Sequence, residues 1–455
     1  MSAPRAGSEE GPVSDRATRA WCTSYRAEWV MPIAAPPIRD SAVVVEGDRI
    51  VWVGRAGDEP ARFAARRVEL GDAVLAPGIV NAHSHLDLTV LHGLLDGLSF
   101  FAWIRGVIAC RAEMRPDEFL DSARAGIIEG LRHGVTTFGD TAPVTAPFDA
   151  MRELGVRGIA YQEFFGPDPA VVADAMAGIR AHVEALRKSE TPLVKVGISP
   201  HAPFTVSEPL YRAAAEYARA ERLPLATHIA ESAAEDDFVR RGAGEFADLL
   251  RARGIALGPT ARSPVALLER ADVLGASALL IHAIRCDADD VQAIARSRSA
   301  VVTCPLSNRY FGHGVAPMAA YRAAGVTLGA GSDSLASNAT IDILEESRTA
   351  LAGVAGATAA DQWALATRGG AAALGLSGEI GTLEAGKAAD FAVFPCAPSH
   401  QPPVPPVRRR AALVVVAGVE RVRDGEVIGD VQDTLARAAA ATARLREWRL
   451  RSTPG

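Results

Sequence analysis

Cysteine is scarce and irregularly placed in this chain of 455 residues. Its five cysteines form no Cys-x-x-Cys pair and follow no regular spacing: Cys22, Cys110, Cys286, Cys304 and Cys396. This pattern argues against a disulfide framework and indicates a reducing compartment. Two of them, Cys286 and Cys304, lie beside predicted strand ends, where small buried apolar side chains are the simpler interpretation.

Long apolar runs and basic clusters are missing too. No apolar run approaches the ~20 residues that span a bilayer, and residues 1–16 lack the apolar stretch of a signal peptide. Lysine and arginine number 48 against 54 aspartates and glutamates, a net charge of −6, and Arg408–Arg410 is the longest basic block. We expect a soluble cytoplasmic protein with a disordered N-terminus at residues 1–16, binding neither membrane nor nucleic acid.

Short β-type runs alternate with helical stretches through the middle of the chain. There are eight such runs, at residues 78–85, 136–141, 158–165, 194–201, 224–231, 278–282, 300–308 and 326–333. Eight β-then-α units predict a parallel (β/α)8 TIM-type barrel over residues 76–378. The site of such a barrel lies on the face where the strands end.

Further strand-like segments flank the predicted barrel on both sides. Residues 41–53 read as two short strands around a Gly-Asp turn, and residues 381–394, 412–417 and 419–427 form a matching set. They predict a small β-sandwich built from both termini, from residues 17–75 and 379–430. Residues 431–455 are predicted as a terminal helix and tail.

Two histidines, His83 and His85, close an apolar run that begins at Val74. Residues two apart on a strand point to the same side, so both rings can reach one ion. By itself the pair fits two hydrogen-bonded core histidines equally well.

Three further polar residues, His228, His282 and Asp333, also follow short β-type runs. Neutral imidazoles and a carboxylate suit a borderline-soft divalent ion, and three histidines with one aspartate leave a position for water. Such an ion lowers the pKa of its water toward ~7. Glu231, three residues beyond His228, is placed to shuttle a proton, although a charge at a helix start is the plainer reading.

This ordered set resembles the amidohydrolase superfamily, in its cytosine deaminase/chlorohydrolase branch of aminohydrolases, from about Ala42 to Asp430. The resemblance implies four metal ligands: His83, His85, His228 and Asp333. It also implies that Asp333 takes a proton from water, Glu231 protonates a ring nitrogen, and His282 hydrogen-bonds the attacking oxygen. Binuclear relatives carry a lysine at the end of the fourth strand, where His201 stands here, so one ion is expected, zinc or alternatively ferrous iron.

Softer motifs resemble one group within that branch, the deaminases of aminodeoxyfutalosine, on a route to menaquinone. They include residues 85–89, 101–105, 162–166, 197–203, 230–232 and 304–308. Deaminases of methylthioadenosine and S-adenosylhomocysteine share the Pro-His and Ser-Asn elements, and His-Leu-Asp stands here for an expected His-Leu-Glu. The implied partner is a small nucleoside-like substrate, and a homodimer is the expected assembly.

Candidate substrate-binding residues follow from the same resemblance and from the loop after the first barrel strand: Trp103, Arg105, Glu163, His201, Asn308 and Arg309. For each of these residues, a purely structural role is the alternative interpretation. Two alternative functions remain: a superfamily hydrolase acting on another C–N or on a C–Cl bond, and a non-catalytic scaffold with this fold.

Overall fold

A computed structural model describes residues 22–63, 66–406 and 409–452. The disorder expected for residues 1–16 therefore concerns a segment outside the described residues. The strands are β1 (Cys22–Val30), β2 (Ile38–Glu46), β3 (Arg49–Arg55), β4 (Arg66–Glu69), β5 (Ala73–Pro77), β6 (Ile79–Ser84), β7 (Val135–Ala142), β8 (Arg157–Phe164), β9 (Val194–Pro200), β10 (Ala226–Ile229), β11 (Leu279–His282), β12 (Ala300–Thr303), β13 (Thr327–Ala330), β14 (Phe391–Pro395), β15 (Leu413–Val416), β16 (Val419–Arg423) and β17 (Glu426–Val427).

Helices connect the parallel strands and follow the last strand. They are α1 (Phe100–Glu113), α2 (Pro116–Arg132), α3 (Ala146–Leu154), α4 (Val172–Arg187), α5 (Glu208–Glu221), α6 (Ala233–Arg241), α7 (Glu245–Ala252), α8 (Pro264–Arg270), α9 (Ala288–Ser297), α10 (Pro305–Phe311), α11 (Met318–Ala323), α12 (Ile343–Ala350), α13 (Ala359–Ala364), α14 (Gly370–Ala373) and α15 (Val431–Ser452). Within the described ranges, none of them has both the length and the apolar character of a membrane span.

Eight parallel strands make two four-stranded sheets, in the orders β6-β7-β8-β9 and β10-β11-β12-β13. Parallel bridges join the sheets at both edges, Ile198 to Leu225 and Ser84 to Asp333. Alternate strand residues such as Ile159 and Ile281 share one apolar cluster between the sheets, while their neighbours pack against the surrounding helices. Burial on both faces explains why these strands read as apolar runs in the sequence.

The predicted strand at residues 78–85 is β6, and the apolar residues before it form the separate strand β5. The chain passes from β5 to β6 at Gly78, where Thr136 leaves no room for a Cβ atom. One detail of the strand prediction is wrong. The run at residues 300–308 ends as a strand at Thr303, and Asn308 lies on α10. Proline at the first position of α10 is a common helix start, and it ends the strand pattern.

Strands from both ends of the chain form one mixed sheet of nine strands, in the order β17-β16-β15-β14-β5-β1-β2-β3 with β4 beside β1. The predicted turn between β2 and β3 is at Gly47, whose φ of 60° suits glycine. Val43 and Val415, on strands distant in this order, share one apolar core. The sequence analysis did not predict β1, which lies between β5 and β2. The predicted boundaries of the barrel and of the β-domain stay a prediction.

A buried ion pair connects the parallel strands to the mixed sheet. Arg157, the first residue of β8, donates from Nε to Asp390 Oδ2 at 2.8 Å and from Nη2 to Oδ1 at 3.2 Å. Their side chains are only 5% and 1% exposed. Asp390 also accepts from the backbone N–H of Ala417 at 2.8 Å. A paired guanidinium is therefore the main compensation for burying this carboxylate.

We expect Arg157→Met to lower the free energy of unfolding by about 3–5 kcal/mol, because it leaves the Asp390 carboxylate buried and unpaired. The double variant Arg157→Met/Asp390→Leu should recover most of that loss. The matched control is Arg187→Met, which removes an exposed pair with Glu221 and should cost under ~1 kcal/mol. Denaturant unfolding checks all three, and equal effects of the two single variants would contradict the prediction.

Candidate metal and catalytic site

Three histidines meet where β6 and β10 end. His83 is on β6 and His85 follows it, and their ring centroids are 4.9 Å apart. His228 on β10 brings its Nε2 within 3.2 Å of His85 Nε2. Burial lowers the pKa of His85 to about 3, with His83 adding to the effect, and lowers that of His228 well below its usual range. Both rings are therefore neutral at pH 7, the form that binds a metal.

Asp333, three residues beyond β13, completes this cluster. Its Oδ1 lies 3.5 Å from His83 Nε2 and 3.7 Å from His85 Nε2. Its Oδ2 accepts a hydrogen bond from Ser307 Oγ at 2.6 Å. Burial alone would raise the pKa of Asp333, but His83, His282 and His85 together outweigh burial and hold that pKa well below its usual range. The carboxyl is thus ionised at neutral pH.

These donor atoms fit a metal ion. His83 Nε2 is buried and has no hydrogen-bond partner among the described residues. The backbone carbonyl of His201 accepts from His228 Nδ1 at 3.3 Å, which leaves the lone pair of His228 on Nε2, facing His85. Two groups of three closely spaced donor residues share His83. One group contains His83, His85 and His228, and the other contains His83, His282 and Asp333.

A third donor group lies beside them and contains Glu163, His201 and His228. Glu163, on β8, has its Oε1 3.9 Å from His228 Nδ1 and 4.0 Å from His201 Nε2. Burial raises the pKa of Glu163 to about 8, so this carboxyl is mostly protonated at neutral pH. His201, one residue after β9, is neutral because burial lowers its pKa to about 3, and its Nδ1 is 2.7 Å from Thr205 Oγ1.

The backbone is left-handed at three of the strand ends. The φ angles of Ala230, His282 and Asp333 are 51°, 71° and 57°. Non-glycine residues rarely adopt such angles, and they cluster at functional sites. Hydrogen bonds from neighbouring strands hold them: the N–H groups of Ile284 and Arg285 donate to Ala230 O, and that of Asp333 donates to His83 O.

Glu231 faces His282 across the site. Its Oε1 lies 3.7 Å from His282 Nε2. Burial raises the pKa of Glu231 well above its usual range, which favours the protonated form of this carboxyl. Burial also lowers the pKa of His282 to about 4, and its Nδ1 is 3.0 Å from the carboxamide Oδ1 of Asn308. Since a carboxamide oxygen only accepts, Nδ1 of His282 carries the hydrogen and Nε2 the lone pair.

A second glutamate fixes the backbone that carries Glu231. Glu235 on α6 is 1% exposed, and its carboxylate accepts from the N–H groups of Ala230 at 2.7 Å and of Glu231 at 2.9 Å. Ser232 caps the same helix through the N–H of Glu235 at 3.1 Å. The left-handed turn at Ala230 is therefore held by a side chain as well as by the neighbouring strand.

Aromatic side chains of α1 and α10 form a wall beside Glu231. Trp103 lies 5.0 Å from Phe311 and 6.5 Å from Phe100 between ring centroids, and its Nε1 donates to Ala336 O at 3.0 Å. The two guanidinium candidates, Arg105 on α1 and Arg309 on α10, are exposed. Arg309 lines a cavity of about 280 Å³ next to Asn308.

Two polar residues of the site were missed by the sequence reading. Arg111 on α1 reaches the buried Asp87, with Nη1 2.6 Å from Oδ2. His313, after α10, has its Nε2 3.5 Å from Glu231 Oε1. Neither lies at a strand end, so the pattern that identified the other residues carried no signal for them. The roles assigned to the predicted residues stay predictions, although all but Arg105 and Arg309 lie in or against this site.

Comparison with known proteins is consistent with this arrangement. Residues 74–424 match the amidohydrolase family. The chain belongs to this family. That confirms the resemblance stated for the sequence and the enzyme class expected from it, a hydrolase of the amidohydrolase type acting on C–N bonds.

Individual relatives of this amidohydrolase are deaminases. An aminodeoxyfutalosine deaminase of Deinococcus radiodurans is 34% identical over 316 residues, 67% of this chain and 74% of that protein. A 5-methylthioadenosine/S-adenosylhomocysteine deaminase of Moorella thermoacetica is 31% identical over 398 residues, 85% of this chain and 88% of that protein. The crystal structure of an adenosine deaminase from Xanthomonas campestris with bound zinc has a TM-score of 0.82 at 28% identity, covering 93% and 98% of the chains.

We expect purified protein to contain about one equivalent of divalent metal per chain, and His228→Ala to lose it, since a removed imidazole opens the ligand set. His400→Ala, at an exposed histidine of the mixed-sheet region, is the control and should retain the metal. Elemental analysis measures both variants. Full metal content in His228→Ala would contradict the assignment of the ligands, and about two equivalents in the wild type would place a second ion at Glu163 and His201.

Proposed function

We propose that this amidohydrolase is a metal-dependent hydrolytic deaminase of an adenine nucleoside-type substrate, converting 6-amino-6-deoxyfutalosine to futalosine and ammonia. The observation that carries the deaminase assignment is the buried carboxyl of Glu231, 3.7 Å from His282 and beside the histidine and aspartate cluster, where burial raises its pKa. A proton donor at that place suits the departure of an amine from an aromatic amidine carbon.

The proposed ligands of the ion are His83, His85, His228 and Asp333, with zinc the expected metal and iron the alternative. Bound there, a divalent ion would supply a water of lowered pKa. Asp333, ionised and with Oδ1 turned toward His83, accepts a proton from that water. His282, whose Nε2 carries a lone pair, accepts a hydrogen bond from the attacking oxygen and orients it.

Glu231 acts on the ring of the substrate. Its carboxyl gives a proton to the ring nitrogen next to the carbon that water attacks, which makes that carbon more electrophilic. Water adds its oxygen to this carbon, and one of its protons, taken by Asp333, reaches the leaving amine. The carbon–nitrogen bond then breaks and ammonia leaves, while the hydroxyl left on the carbon returns its proton to Glu231 and becomes the carbonyl, so atoms and charges balance.

The aromatic wall supports the choice of aminodeoxyfutalosine. The side chains of Phe100, Trp103 and Phe311 offer apolar surface to an aryl group on the 5′ side of the nucleoside. Arg105 and Arg309 stand exposed on the two helices that carry this wall, where a guanidinium would pair with an aryl carboxylate. His201, Glu163 and Asn308 are the proposed contacts on the inner side.

Deamination of methylthioadenosine or S-adenosylhomocysteine is the second candidate. What favours it is the longer match, 85% of this chain, to the Moorella deaminase. We further propose a closed (β/α)8 barrel at residues 76–378 with a small β-domain from residues 17–75 and 379–430, and a homodimeric assembly.

Glu231→Gln keeps the size of the side chain but cannot carry a proton. We expect kcat to fall ~10²–10⁴-fold with metal content unchanged. The matched control is Glu245→Gln, at the first residue of α7, which should retain full activity. Steady-state assays with ammonia detection measure both, and a drop under tenfold in folded Glu231→Gln would reject the proton-shuttle role.

The substrate assignment is tested with a panel of 6-aminopurine nucleosides that differ at the 5′ position. Aminodeoxyfutalosine should exceed adenosine, methylthioadenosine and S-adenosylhomocysteine in kcat/KM by at least ~10-fold, the value of one ~1.4 kcal/mol contact. Equal or higher kcat/KM on S-adenosylhomocysteine or methylthioadenosine would favour the second candidate and leave the deaminase assignment standing.

A further inference from the structure

A buried imidazole beside Glu231 has no part in the chemistry described so far. The side chain of His313 is 8% exposed, and its Nε2 has no hydrogen-bond partner among the described residues. The ring lies between Phe100, 4.6 Å away edge-on, and Phe311, 5.2 Å away and stacked. A polar nitrogen kept dry at this position is costly unless a group in the site uses it.

Nε2 of His313 faces one oxygen of the Glu231 carboxyl, Oε1. His313 Nε2 lies 3.5 Å from Glu231 Oε1, and His282 Nε2 lies 3.7 Å from the same atom. His282 Nε2 carries a lone pair, because Nδ1 donates to Asn308, so it cannot donate to the carboxyl. Among the described side chains within ion-pair distance of Glu231, His313 alone is left as a donor to Oε1.

We propose that His313 is a positioning residue for Glu231: when substrate binds, the 3.5 Å separation between Nε2 and Oε1 closes to a hydrogen bond in which Nε2–H donates, and this directs Oε2, with the acid proton, toward the ring nitrogen of the substrate. The proposal rests on the proposed function, in which Glu231 is the proton shuttle. A carboxyl accepts best at its carbonyl oxygen, so a donor at Oε1 favours the proton on Oε2.

The contact between His313 and Glu231 also matters after Glu231 has given its proton to the substrate. Once Glu231 has given up its proton, a carboxylate remains in a site that also holds the ionised Asp333 and lies near Glu235, both of which oppose its charge. A hydrogen bond from His313 stabilises that carboxylate without adding a full charge, because burial lowers the pKa of His313 to about 4 and keeps the ring neutral.

His313→Phe keeps an aromatic ring against Phe100 and Phe311 but removes the donor, and His313→Gln restores an N–H group. We expect kcat of the phenylalanine variant to fall about tenfold or more, with KM within about threefold of wild type, and the glutamine variant to recover part of the loss. His400→Phe, at an exposed histidine outside the site, is the control for the loss of a histidine as such. Metal content, thermal midpoint and calorimetric affinity for the nucleoside product should be unchanged in all variants.

Wild-type kcat in His313→Phe, with Glu231→Gln strongly impaired, would overturn the positioning role and leave the proposed function intact. Equal kcat losses in the phenylalanine and glutamine variants with lower thermal midpoints would also overturn it, since packing would then be the cause. A wild-type protein that deaminates none of the nucleosides would overturn the proposed function itself, and the role of His313 with it.

Discussion

A single ionised carboxylate, that of Asp333, organises the centre of this molecule. It is buried at the edge where the first and last parallel strands meet, and its own N–H bonds to the carbonyl of His83. One oxygen is taken by Ser307, so the other faces the imidazoles. A buried charge of this kind is unfavourable without a counter-charge, and a divalent cation bound by the cluster would supply one.

Burial has opposite effects on the two kinds of side chain around that charge, and both effects favour the proposed chemistry. It removes the charge from the imidazoles, whose lone pairs then become available as ligands or acceptors. It raises the pKa of Glu231 and so favours the protonated form, which the proposed chemistry uses as a proton donor. The same water-excluding environment therefore holds groups of lowered pKa and a group of raised pKa a few ångströms apart. In enzymes generally, pairs of groups with divergent pKa values serve as acid and base.

The catalytic face also depends on strained backbone that the rest of the fold supports. Left-handed residues at three strand ends redirect the chain just where His282, Glu231 and Asp333 must point inward. Glu235 holds one of these turns with two hydrogen bonds to backbone N–H groups. The position of Glu231 therefore depends on the side chain of Glu235, which holds its backbone.

The sequence by itself determined the eight parallel strands and the main polar cluster. Parallel strands buried on both faces are apolar runs whatever surrounds them, and residues at their carboxyl ends gather on one face, so His83, His228, His282 and Asp333 were found from spacing alone. Only the tertiary structure decided where Asn308 lies, that β1 is central to the mixed sheet, and that Arg111 and His313 enter the site. Those residues reach their positions through packing between helices and sheets far apart in the chain, and such contacts leave no local periodicity to read.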